Sequence, residues 1–122
     1  MSSNIQFLSA TPVLASLDIE RTVGFFVDKL GFAAVDVQQC VYGIVMRGGV
    51  YIHFWACSDK RIAEATSCRV QVTCIRALHA HCQAQGIVHP RAQLEAKPWG
   101  MLEFSVLDPD GNLVTFHERA GA

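Results

Sequence analysis

The chain has 122 residues, 51% of them hydrophobic, with 11 acidic and 10 basic side chains and a formal net charge of −1. That length suits one domain with a core of its own, and so balanced a charge excludes the basic stripe that nucleic-acid binding requires. No apolar run approaches a membrane span, and the opening MSSNIQF lacks a charged-then-apolar signal pattern, so a cytoplasmic protein without membrane partners is expected. Cys40, Cys57, Cys68, Cys74 and Cys82 are odd in number and form no CxxC, which reads as reduced thiols packed as small hydrophobes.

In chain order, TPVLASL alternates as a strand. Asp18 can then cap a helix that runs through Leu30, with Glu20 in its first turn and Gly31 at its end. Ile19, Val23, Phe26, Val27 and Leu30 give that helix one apolar stripe. About three short strands follow, the last being GGVYIHFW. The scheme then recurs: the strand SCRVQVT, a helix started by Thr73 with Ile75, Leu78 and Cys82 on its apolar side, and Gly86 as its end. Strands follow again, with an extended loop around HPRAQLEAKPWGM. Met101 to Leu107 and Asn112 to Glu118 flank Asp108-Pro109-Asp110-Gly111, which reads as a hairpin because Pro presets φ, Asp caps its own turn and Gly accepts positive φ. The fold class is therefore α+β, a β-α-β-β-β unit used twice in one domain over 1–122. Module one covers about 5–57 and module two about 66–119.

Period-two alternation assigns the strand faces. Cys68, Val70 and Val72, then Leu102, Phe104 and Val106, then Val50, Ile52 and Phe54, give each sheet an apolar face to receive its helix. The opposite face carries Tyr51, His53, Trp55, Arg69, Glu103 and His117, a mixture that points to a concave face meeting a ligand or a subunit; ordinary solvent exposure is the alternative. His79 and Cys82 stand three apart on the second helix and could share an ion, but Cys82 belongs to the apolar stripe, so surface and core roles fit better. His89 precedes a proline in a loop and carries no further signal.

The opening ATPVLASLDIERTVGFFVDKLGF and the tail KPWGMLEFSVLDPDGNLVTFHE resemble the vicinal oxygen chelate superfamily, also called the glyoxalase/bleomycin resistance/dioxygenase superfamily; the tail is similar to that of the bleomycin resistance proteins. The turn DPDGN alone is a weak signal, demanding only a tight turn; joined to PWGxxEF and the opening it is specific. The resemblance implies two βαβββ modules forming a cupped, partly open β-barrel with helices outside. In the superfamily's enzymes that cup holds a divalent metal on His, Gln or Glu. The corresponding positions in this chain are Thr11, Thr66 or Ser67, His53 and Thr115, of which only His53 is a fitting ligand for a transition ion. Glu103 and His117 could supply further donors to His53 from the same face.

The resemblance thus implies a metal-free, cofactor-free binder with no catalytic residues: a homodimer that sequesters a small molecule, such as an aromatic or cationic drug, in grooves between its subunits. By the same likeness Trp99 stacks on flat parts of the ligand, with Tyr42 near the second stacking position. Trp99 alternatively plugs the hairpin base between Pro98 and Gly100. Glu103 either meets a ligand cation or pairs with Arg69 or Arg47, and His53, Trp55, Arg69 and His117 complete the candidate set. The balanced charge counts against the strongly cationic bleomycin as the natural ligand. The alternatives are a metal-dependent lyase, dioxygenase or thiol transferase, and an interaction domain whose concave face meets a protein. Open sheet edges favour a second copy as cover, and Pro12 fits a first strand that bends toward a partner.

Overall fold

A computed structural model describes residues 4–121. Its elements are β1 (Val13–Ser16), α1 (Ile19–Leu30), β2 (Ala33–Gln38), β3 (Tyr42–Arg47), β4 (Val50–Ala56), α2 (Lys60–Glu64), β5 (Ser67–Gln71), α3 (Ile75–Ala84), β6 (Glu95–Ala96), β7 (Met101–Leu107) and β8 (Leu113–Arg119). They form two four-stranded mixed sheets with matching orders, β1-β4-β3-β2 and β5-β8-β7-β6. In each sheet the first and last strands pair in parallel and the remaining pairs are antiparallel. The repeated unit is therefore visible in the topology. The sheets stay separate and do not close into a barrel, in keeping with a cupped, open arrangement.

The first helix forms as its caps dictate. Asp18 accepts a hydrogen bond from the Arg21 N–H at 3.1 Å, and Gly31 adopts a left-handed φ of 72° that lets Phe32 N–H donate back to Phe26 O. Ile19, Val23, Phe26 and Leu30 all become buried, each contributing on the order of 2 kcal/mol. Gly43 permits this packing: a Cβ there would lie 2.9 Å from Val23 Cγ2 and 3.1 Å from Ile19 Cγ2. One continuous core joins Phe26, Ile52 and Phe54 of the first module to Val70, Phe104 and Phe116 of the second.

Four details depart from the sequence reading. The second helix starts at Ile75 rather than at a Thr73 cap; Cys74 precedes it in the left-handed region at φ 56° and gives no side-chain cap. Its free N–H groups are instead satisfied from β8, where the Glu118 carboxylate accepts from Cys74 N and Ile75 N at 3.1 Å each. The second strand of module two, the first after its helix, shrinks to the two residues of β6, with one further bridge at Val88. A five-residue helix, α2, capped by Asp59, occupies the stretch between the modules, and only its Ala63 is buried.

The fourth departure concerns the turn DPDGN, which does more than reverse the chain. Asp108 Oδ1 accepts from the N–H of Asp110 and of Asn112 at 2.9 Å, closing the turn, and Gly111 takes a φ of 97°. Asp110, fully buried, then crosses to module one, accepting from Leu17 N at 3.1 Å, from Thr22 Oγ1 at 3.0 Å and from the Arg21 guanidinium. Asn112 Nδ2 donates to Ala15 O at 2.7 Å. One hairpin turn thus fastens the second module to the β1–α1 junction of the first.

Candidate functional site

Strand register places the candidate residues in two groups. In the first sheet Tyr42 sits opposite Trp55, and Ile44 opposite His53, so Tyr42, His53 and Trp55 share a face. Tyr42 Oη and His53 Nδ1 lie 2.8 Å apart with their rings edge-on. Tyr51 and Trp55 remain exposed on this side.

In the second sheet Glu103 sits opposite His117, and Arg69 and Ser105 both pair with Thr115. Arg69 donates to both Glu103 oxygens, at 2.6 Å from Nη2 and 3.3 Å from Nη1. Trp99 Nε1 donates to Glu103 Oε2 at 2.8 Å. Glu103 is consequently buried at 5% exposure, while the Trp99 beside it is 63% exposed. Of the two readings of Glu103 as an ion-pair partner, the one with Arg69 is realised; Arg47 instead donates to Leu30 O. The Arg69 hydrogen bonds hold the Glu103 carboxyl below its usual range against the opposing effect of burial, with Trp99 and nearby His117 adding in the same direction as Arg69. Burial and then the Arg69 charge push His117 below the ordinary imidazole value, Glu103 pulling the other way, and its buried Nδ1 has no hydrogen-bond partner. No hydrogen bond, ion pair or ring contact among the described residues joins this corner to Tyr42, His53 and Trp55.

Of the positions that the resemblance assigns to a metal, Thr115, Thr66 and His53 are otherwise engaged. Thr115 Oγ1 lies 2.8 Å from Ser105 Oγ, and Thr66 Oγ1 donates to Ala63 O and to Asn112 Oδ1. Thr11 is exposed ahead of β1, and His53 is bound to Tyr42. Among the described residues no three His, Cys, Asp or Glu side chains gather closely enough to hold an ion. Neutral hydroxyls with one imidazole do not fit a transition metal. His79 faces Gln93 and Phe104, His81 meets Lys29 O, and Cys82 is buried, so this histidine-rich stretch points three ways.

A cavity of about 640 Å³ lies elsewhere: between the modules, on a floor that includes Leu30, Phe32, Val50, Val70, Leu78 and Phe116. None of the candidate ligand residues lines it. Sequence reasoning passed over this cavity because its walls mix core positions with helix-end and turn residues that form no motif. It also passed over Ile5, Phe7 and Leu8, apolar residues ahead of Pro12 that stand 78%, 98% and 86% exposed. Their signal was three apolar side chains in a row of five, NIQFL, outside any helix or strand.

A glyoxalase superfamily protein model matches residues 1–122, so the chain belongs to the glyoxalase superfamily, whose paired βαβββ architecture it displays. Within it, the chain is 33% identical to the bleomycin resistance protein of Geobacillus stearothermophilus, over 92% of this chain and 97% of that one. The Klebsiella pneumoniae bleomycin resistance protein is 30% identical over 86% and 87% of the two chains. Among solved structures, the bleomycin-binding protein of bleomycin-producing Streptomyces verticillus, crystallised with copper(II)-bleomycin, superposes with a TM-score of 0.81 at 32% identity, covering 97% of this chain and 99% of that one. The bleomycin resistance determinant of transposon Tn5 gives a TM-score of 0.79 at 27% identity, covering 93% and 98%.

Proposed function

We propose that this protein binds and sequesters a bleomycin-type or similar flat heteroaromatic drug without altering it, and so confers resistance. The observation that carries the reading is the pairing of an open Trp99 ring with a face that lacks a metal-ligand set. Such a face offers a large rigid surface for stacking and no ion to polarise substrate oxygens. The similarity to bleomycin resistance proteins and to a bleomycin-bound structure supports it.

The binding species is a homodimer in the cytoplasm. The two candidate groups lie apart in one chain, and a groove between two copies lets Tyr42, His53 and Trp55 of one copy face Trp99, Arg69, Glu103 and His117 of another. Exposed Ile5, Phe7 and Leu8, and the open edge at Val35 and Val37, are apolar surface that a second copy would cover. Free thiols at all five cysteines suit a reducing compartment.

Titration of bleomycin against tryptophan fluorescence, with mass spectrometry of the recovered drug, tests the proposal. Saturable binding with the drug returned unchanged is expected. Absence of binding, or turnover abolished by a chelator, would overturn it.

A further inference from the structure

Glu103 is the acidic member of the Trp99 corner and the natural candidate to meet a cationic ligand. Its geometry assigns it a different task. Both carboxylate oxygens accept from Arg69, and Oε2 also accepts from the Trp99 indole. The carboxylate lies at 5% exposure beneath those two partners, whereas the Arg69 side chain is 51% exposed and Trp99 63%. A ligand approaching this face therefore meets a flat ring and a flat guanidinium, not an anion. Trp99 sits in a turn where Lys97 N donates to Met101 O at 2.7 Å and Gly100 takes a φ of 85°, so backbone bonds fix the loop while the indole bond to β7 fixes the ring.

We propose that Glu103 is a positioning residue whose carboxylate holds both the Trp99 indole and the Arg69 guanidinium at the open face, so that this corner offers a ligand those two groups and not the anion. The inference rests on the drug-binding reading above and names the chemistry that one part of its site selects. Two physical arguments support it. An indole held by a charge-assisted hydrogen bond loses little freedom when a ring stacks on it, which raises affinity by preorganisation. A carboxylate neutralised by a guanidinium in two-point contact exerts little pull on an approaching cation, and the exposed guanidinium repels it. Arg69 and Trp99 together then offer stacking on both an aromatic and a guanidinium plane.

The test separates positioning from direct charge recognition. The ligand-free protein is labelled with 15N and its two indole N–H resonances are assigned with Trp99→Phe. The Trp99 signal should lie downfield and exchange slowly with solvent, lose both properties in Glu103→Ala, and regain them in Glu103→Gln, whose amide oxygen still accepts. Bleomycin affinity should fall roughly tenfold in Glu103→Ala and recover most of that loss in Glu103→Gln, since one lost hydrogen bond to a charged group is of that size. If Glu103 met a ligand cation, both variants would weaken binding equally, and wild-type affinity at this corner would fall steeply with salt in a Glu103-dependent way. Equal weakening, or a Trp99 resonance that does not respond to Glu103→Ala, overturns the proposal. Should Glu103→Ala fail to fold, the resonance and affinity of Glu103→Gln decide alone: loss of both refutes the clamp and retention supports it. Should the wild type not bind bleomycin at all, the drug-binding reading fails while the resonance still reports on the clamp.

Discussion

On the proposed reading, capture depends most directly on the open Trp99 ring. Trp99→Ala should weaken bleomycin binding by ~1–3 kcal/mol, the range for stacking a flat heterocycle on an aromatic side chain, read by calorimetric titration. An unchanged affinity would return Trp99 to the role of plugging the hairpin base. Glu103, bonded to that ring, and His117, opposite Glu103 in the sheet, make the corner sensitive to acid. His117 titrates below its ordinary value in the folded state because of burial and Arg69, so the folded chain takes up its proton at lower pH than the unfolded one. Glu103 is likewise depressed, through Arg69. A depressed group contributes stability that is present above its unfolded pKa and is lost as pH falls through its folded value. Acidification should therefore cost stability first below about pH 6.5 through His117 and again below about pH 4.5 through Glu103, the ordinary values of the two side chains. Asp108, raised chiefly by its own burial, works in the opposite sense and offsets part of the second loss. Urea midpoints measured across this range should fall less steeply in Glu103→Gln than in the wild type. The thiols divide just as sharply. Burial pushes Cys68 and Cys82 up to about 11, while Cys40 and Cys74 are exposed. A disulfide reagent at neutral pH should modify Cys40 and Cys74 readily and reach Cys68 and Cys82 only after denaturation.

At the level of elements, the turn between β7 and β8 is the one whose loss should cost most. Asp110→Ala strands the Leu17 N–H, the Thr22 hydroxyl and the Arg21 guanidinium together. Removing one partner of such a buried charged set costs about 3–5 kcal/mol, and a fall of that size in the denaturation free energy, with the ligand-facing residues untouched, is the expected outcome. That turn also marks the limit of what the sequence discloses. Its shape is legible, because Pro109 fixes its own φ and Gly111 admits the positive φ that the turn needs. Its reach to Leu17 is not, because the acceptor and donor lie 93 residues apart. The same distinction runs through the fold. Asp18 and Gly31 announce the ends of α1 from three and five residues away from the groups they meet. The start of α3 is hidden because its capping carboxylate, Glu118, comes from the last strand. Helix α2 is too short to express a 3.6-residue period, and β6 has only two ladder residues, too few to alternate. In the candidate site, alternation grouped Glu103, His117 and Arg69 on one face correctly, yet left Glu103 between two arginines. Only packing decides that choice, since Arg47 turns away to Leu30 O.

For the molecule as a whole, the expected dimer depends on the segment ahead of β1. Deleting residues before Thr11 removes Ile5, Phe7 and Leu8, whose exposure leaves them nothing to pack on within one chain. Analytical ultracentrifugation should show the full chain at twice its own mass, with the truncated chain dissociating at much higher concentration and losing drug affinity in parallel. A truncated chain that associates as tightly as the full one would show that other surfaces hold the copies together. The fastening between halves has a different outcome. The peptide from Cys57 to Thr66 holds only α2, with a single buried residue, whereas Asp110 and Asn112 grip β1 and α1 without any covalent help. Severed near Ser58, the two pieces should find each other again when expressed together, and capture of the drug would then report on their meeting, a split sensor already latent in how a five-residue corner reaches across the pseudo-repeat.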